Sequence, residues 1–184
     1  MEELALNILD IACNSVRAKA SLIRIDVAAD TKKDVLQISV SDDGKGMSEE
    51  FLKTVTDPFA TTRTTRKVGM GIPLFKMAAE SADGAFAITS KVGVGTTTKA
   101  SFALSHIDRM PLGDVAGTMV ALIGQAEKAD IVLTYSVDER EYVFDTRDVK
   151  RILDGVDINS TEIIVYLKEM IDENITNING GLII

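Results

Sequence analysis

The sequence has no tryptophan, one cysteine, one histidine and only three prolines. A lone cysteine, Cys13, makes no internal disulfide; it lies in an apolar run and fits a reducing compartment. One histidine and one cysteine are too few for a His/Cys zinc site. No apolar stretch reaches the roughly 18 residues of a membrane span. The start "MEELALNILD" is acidic and lacks the layout of an export signal, so the expected location is cytoplasmic, with no membrane partner. Internal repeats and low-complexity segments are missing too. What remains is 46% hydrophobic over 184 residues, enough for an ordered core. Charge is unevenly spread: residues 1–104 carry 13 acidic and 13 basic side chains, residues 105–184 carry 15 and 7. The shift predicts two parts, 1–104 and a small acidic α/β region, 105–184. No basic face offsets that acidity, which argues against a nucleic-acid partner.

Residues Val35–Ser41, "VLQISVS", alternate apolar and polar, the period of a half-buried strand. The strand runs into Asp42-Asp43-Gly44-Lys45-Gly46. Acids followed by glycines make either a plain turn or a ligand site in which the backbone must approach closely. Upstream, "EELALNILDIACNSVRAKA" is a helix whose polar residues Asn7, Asp10, Asn14 and Arg17 recur at i, i+3, i+7 and i+10, one stripe on one face. The stripe reads as a solvated face or, being amides and one short acid, as a ligand-binding face. Strands follow at "LIRIDVA", "AFAITS" and "TKASFAL", with a short helix from Ser48 to Thr56. A loop holding Arg63, Arg66 and Lys67 leads to Gly69-Met70-Gly71 and the helix "IPLFKMAAESA". Glycines at a helix start leave N–H groups free for an anion.

Taken in order, Asp10/Asn14 on a helix, the DxGxG turn, the Thr/Arg loop, Gly-x-Gly and Gly93-Val94-Gly95-Thr96 closely resemble the ATP-binding fold of gyrase-type topoisomerases, chaperone ATPases, histidine kinases and MutL-type repair proteins, the GHKL superfamily. The resemblance covers about residues 2–104 and implies an α+β, two-layer sandwich of the histidine-kinase-type (Bergerat) fold, with a small C-terminal α/β appendage. It implies further that the cofactors are ATP or ADP with Mg²⁺. Asp42 would accept from the adenine amine, Gly44 and Gly46 would let backbone approach the base, and Thr96 would line the adenine pocket. Asn14 would ligate Mg²⁺, Asp10 would stand where the ATPases place a general base, and Gly69 and Gly71 would cradle phosphates. Thr61, Thr62 and Arg63 would belong to the lid.

Arg17, three residues after Asn14, and "DPFATTR" look most like the catalytic domain of histidine kinases, whereas Pro73 stands where those kinases carry a third glycine. The only histidine, His106, lies in "SHIDRMPLGD", similar to the kinase acceptor box but with its acid at +2; it is either an acceptor or part of a linker. Three functions are open: a soluble kinase acting on a separate partner protein, an ATPase switch, and an adenine-nucleotide sensor without turnover. In the tail, Asp114 caps a helix "VAGTMVALI" ended by Gly124, and "DIVLTYSV" and "EYVFDT" form a hairpin. A last helix near 160–175 has Asn159 and Glu162 spaced as a capping box and Ile163, Ile164, Leu167, Met170 and Ile171 on one face.

Overall fold

The computed structural model describes residues 3–56 and 70–184. The alternating segments become β1 (Leu22–Asp30), β2 (Val35–Asp42), β3 (Phe86–Lys91) and β4 (Gly95–Ala103), followed by β5 (Asp130–Val137) and β6 (Arg140–Asp145). They form one six-stranded sheet in the order β3-β4-β2-β1-β5-β6. All pairings are antiparallel except β1 with β5, which run parallel. Registry places Ile25 opposite Val40 on one side and Leu133 on the other, so their apolar side chains share one face. That face is buried; the other carries Arg24, Gln37 and Lys99 to solvent.

Helices α1 (Leu4–Arg17), α3 (Gly71–Ser81), α4 (Val115–Gln125) and α6 (Thr161–Asn179) supply the covering layer, with shorter α2 (Glu49–Thr54) and α5 (Thr146–Leu153) beside them. The layer buries Leu4, Ile8, Phe75, Met119, Leu122, Leu167 and Ile171. Phe75 stands edge-on to Phe86 at 6.3 Å and tilted against Phe102 at 5.8 Å, clamping α3 onto the β3–β4 end. The two-layer α+β arrangement agrees with the expectation, and the sheet and core run on without a break into residues 105–184.

α1 begins without a side-chain cap. Its first N–H groups, at Leu4 and Ala5, donate instead to the carbonyls of Pro111 (2.9 Å) and Leu112 (2.8 Å), and Leu112 N donates to the carbonyl of Ile184 (3.1 Å). Thr118 Oγ1 adds a bond to the carbonyl of Ala5 at 3.1 Å.

Asp114 caps α4 through Gly117 N (2.6 Å), as the sequence suggests, though the helix continues past Gly124 to Gln125. The expected hairpin is β5–β6. The capping box at Asn159 and Glu162 does not form: Ser160 is the N-cap of α6, and Asn159 N donates to Asp157 Oδ1 at 2.9 Å. The turn before α6 thus spends its side chains on itself.

Tyr135 is fully buried on β5 and donates to Asn179 Oδ1 at 2.7 Å. Burial pushes its phenol up to about 12 from an ordinary 10.0. A raised acid favours the folded state while neutral. Its contribution, about 2–3 kcal/mol, is therefore complete below pH 10 and lost as pH rises towards 12. Urea midpoints measured from pH 9 to 12 are expected to fall more steeply in the native protein than in Tyr135→Phe, which itself starts about 1 kcal/mol lower for the lost hydrogen bond. Parallel curves would exclude the assignment.

Candidate functional site

Between α1, α2 and the β2–β4 ends lies a cavity of about 600 Å³, lined by Asn14, Ser15, Arg17, Asp42, Gly46, Thr96 and others. That volume accommodates a small organic cofactor. Asp42, the last residue of β2, is half-buried and held from two sides. Ser15 Oγ donates to its Oδ2 at 2.6 Å, and Gly44 N donates to its Oδ1 at 2.9 Å. The carboxylate is thereby immobilised and remains an acceptor at the cavity wall.

Two glycines build the turn that aims it. A Cβ on Gly44 would lie 2.8 Å from the Cβ of Ala18 and 2.9 Å from Asp42 Oδ1. Gly46 has φ +65°, and a Cβ there would overlap the Lys91 carbonyl. Lys45 N donates to the Ala18 carbonyl at 3.0 Å, tying the turn to the end of α1. Asp43 latches the other side through the backbone of Ser21 (2.7 Å) and Leu22 (2.9 Å) and the Ser21 hydroxyl. The Ser21 hydroxyl foremost lowers its carboxyl below the usual value.

Of the α1 stripe, Asn14 and Arg17 line the cavity, and Arg17 Nη1 donates to Asn14 Oδ1 at 3.1 Å. Asp10, exposed one turn earlier, stands against Gly71, the first residue of α3: a Cβ on Gly71 would come within 2.9 Å of Asp10 Cβ. Thr61, Thr62, Arg63 and Gly69 lie outside the described residues. Ser15, buried and the direct partner of Asp42, is a site residue that sequence reasoning passes over, since a serine among apolar helical neighbours reads as filler. Met47, Phe51 and Val55 form an apolar wall that is equally silent in the sequence.

His106 is remote. It follows β4, whose Thr96 end meets the cavity, and Thr96 and Ala103 are separated by about 23 Å of extended strand. Its Nε2 is 3.4 Å from Asp83 Oδ2, and its Nδ1 accepts from Asp108 N at 3.1 Å. His106 thus lies in the segment between β4 and α4, at the end of β4 away from the cavity.

The profile of the histidine kinase-, DNA gyrase B- and HSP90-like ATPases matches residues 1–106. The chain belongs to that family. Among curated proteins it is 30% identical over 109 residues to a sensor protein of Shewanella frigidimarina, covering 59% of this chain and 16% of that one. It is 30% identical over 115 residues to the non-motile and phage-resistance protein of Caulobacter vibrioides (59% and 14%). An NtrY-like sensor histidine kinase of Rickettsia conorii is 27% identical over 108 residues (59% and 18%). The chain thus spans less than a fifth of these relatives. Two solved structures share the ATPase family's fold. One is the N-terminal domain of a DNA repair protein (TM-score 0.53, 12% identity, covering 78% of this chain and 52% of that one). The other is the Aquifex aeolicus MutL ATPase domain complexed with ADP (0.52, 13%, 84% and 70%). At 84% of 184 residues, about 155, the latter likeness reaches well beyond the 106 residues that the family profile matches. No helix among the described residues is long and apolar enough to cross a membrane.

Proposed function

We propose that the chain binds Mg·ATP and ADP in this cavity and, as a signalling kinase, transfers the γ-phosphate to a separate protein. The observation that carries the reading is the doubly anchored Asp42 carboxylate beside Asn14. A fixed acceptor pairs with the 6-amino group of adenine and repels the 6-oxo group of guanine. Asn14 offers an amide oxygen to Mg²⁺, and Asp10, one turn away on the same helix, offers a carboxylate. Among the described residues no cluster of three or more His, Cys, Asp or Glu could hold a metal without help. Asn14 suits a cation that takes its remaining oxygens from phosphate and water, as Mg²⁺ does. When bound, such an ion would offset the negative charge of the phosphates.

Arg17 donates to Asn14 Oδ1; were that oxygen to hold the cation, the guanidinium would be available to phosphate oxygens. Asp10 would orient the attacking group, and the N–H groups that open α3 would serve the phosphates. Likeness to sensor kinases supports the transfer, and the distance of His106 from the cavity directs it to another protein.

The test follows the γ-phosphate of labelled Mg·ATP, with and without a cell extract. Label on protein is the expected result, and acid lability would mark phosphohistidine. Label released only as free phosphate would replace the kinase with an ATPase switch, and tight binding without turnover with a nucleotide sensor. No binding at all would overturn the site.

A further inference from the structure

Registry aligns three polar residues across neighbouring strands: Ser90 on β3 opposes Thr96 on β4, and Thr96 opposes Asp42 on β2. The row continues into fully buried Ile23 on β1, so it is a polar strip at the end of an apolar face. Ser90 does not line the cavity, but its hydroxyl is in contact with three partners at once. Met47 N reaches Ser90 Oγ at 2.8 Å, Ser90 Oγ reaches the Gly95 carbonyl at 3.0 Å, and Ser90 Oγ and Thr96 Oγ1 are 2.9 Å apart.

A serine hydroxyl has one hydrogen and two lone pairs. The Met47 amide can only donate to it, and the Gly95 carbonyl can only accept from it. For all three contacts to be hydrogen bonds, Thr96 must donate to Ser90. The Thr96 hydrogen is then committed away from the cavity, and its oxygen is left as an acceptor. Free to rotate, that hydroxyl would present either polarity.

We infer that Ser90 is a positioning residue that fixes Thr96 as an acceptor and so sharpens selection of a 6-amino over a 6-oxo purine. The inference rests on the nucleotide reading above and deepens it. Asp42 and Thr96 then present two acceptors and no donor, matching an exocyclic amine that has two hydrogens to give. A 6-oxo purine offers a carbonyl and finds nothing to pair with it. Removing the Ser90 hydroxyl lets Thr96 turn its hydrogen toward the base, where it can serve the carbonyl.

The experiment titrates ADP and IDP, which differ at that position, into the wild type, Ser90→Ala and Ser90→Thr, with melting temperatures measured alongside. The wild type is expected to prefer ADP strongly. Ser90→Ala is expected to lower the ADP:IDP affinity ratio about tenfold, the value of one hydrogen bond exchanged for an unmet polar group. Ser90→Thr, which keeps the hydroxyl, restores the ratio. A merely structural role for Ser90, through the Met47 turn, would weaken both nucleotides alike and leave the ratio unmoved. That result, with ADP still bound, would overturn the inference alone. A wild type that binds neither nucleotide would overturn the nucleotide site and the inference together.

Discussion

Asp42→Asn is expected to weaken ADP binding about 100-fold while the melting temperature moves by only a few degrees. In the native site one carboxylate accepts from Ser15 Oγ at 2.6 Å and Gly44 N at 2.9 Å and still has lone pairs for the base. An amide keeps the shape but replaces an acceptor oxygen by an NH₂ group, which meets donors where acceptance is needed. Hydrogen bonds to a charged group contribute about 1.5–3 kcal/mol, and leaving a donor unmet adds to the loss, so about 100-fold follows. Ser15 can turn its hydroxyl to accept from the new amide, which is why the fold survives. Ser15→Ala leaves the carboxylate in place with one anchor fewer, and about tenfold is expected there. Calorimetric titration with ADP ranks the three proteins. Equal affinity in Asp42→Asn would remove Asp42 from the site.

Gly95→Ala acts on the fold and the site together. Gly95 opens β4 with φ +130°, where side chains are strained, and a Cβ there would lie 1.8 Å from the Asp42 carbonyl oxygen. The obstacle is backbone, so the clash cannot be relieved by rotating a side chain. β2 and β4 must part where Asp42 and Thr96 meet the cavity. The cost is about 3 kcal/mol or more, a fall of about 6–12 °C in melting temperature for a chain of this size, and binding fails with it. Thermal melts with ADP titration check both, and a Tm within about 2 °C of wild type would refute the account.

These two positions illustrate what is legible in the sequence. The period-two strands and the DxGxG turn are local signals, and the structure delivers them where residue spacing places them: β2 ends in Asp42, and Gly46 has the positive φ that its turn needs. Ser15 is invisible because its role depends on which strand end the helix crosses. α5, "TRDVKRIL", escapes notice because it shows no broad apolar stripe; only Thr146 is fully buried, its Oγ1 accepting from Ile131 N at 2.9 Å. The parallel pairing of β1 with β5 joins residues about a hundred positions apart, and no local pattern reports such a partner. Asn159 and Glu162 had the right spacing for a box, but a turn at Asp157 offers the Asn159 N–H a nearer acceptor.

The way α1 begins has a bearing on modularity. The helix that carries Asp10 and Asn14 is started by carbonyls of residues 111 and 112, themselves tied to residue 184, and β5 shields the flank of β1. None of these supports falls within residues 1–106, the span that defines the family. Cut there, the helix would lose its first acceptors and β1 would become a bare edge open to pairing with other chains. The stretch that marks the family is shorter than the sheet that it helps to build.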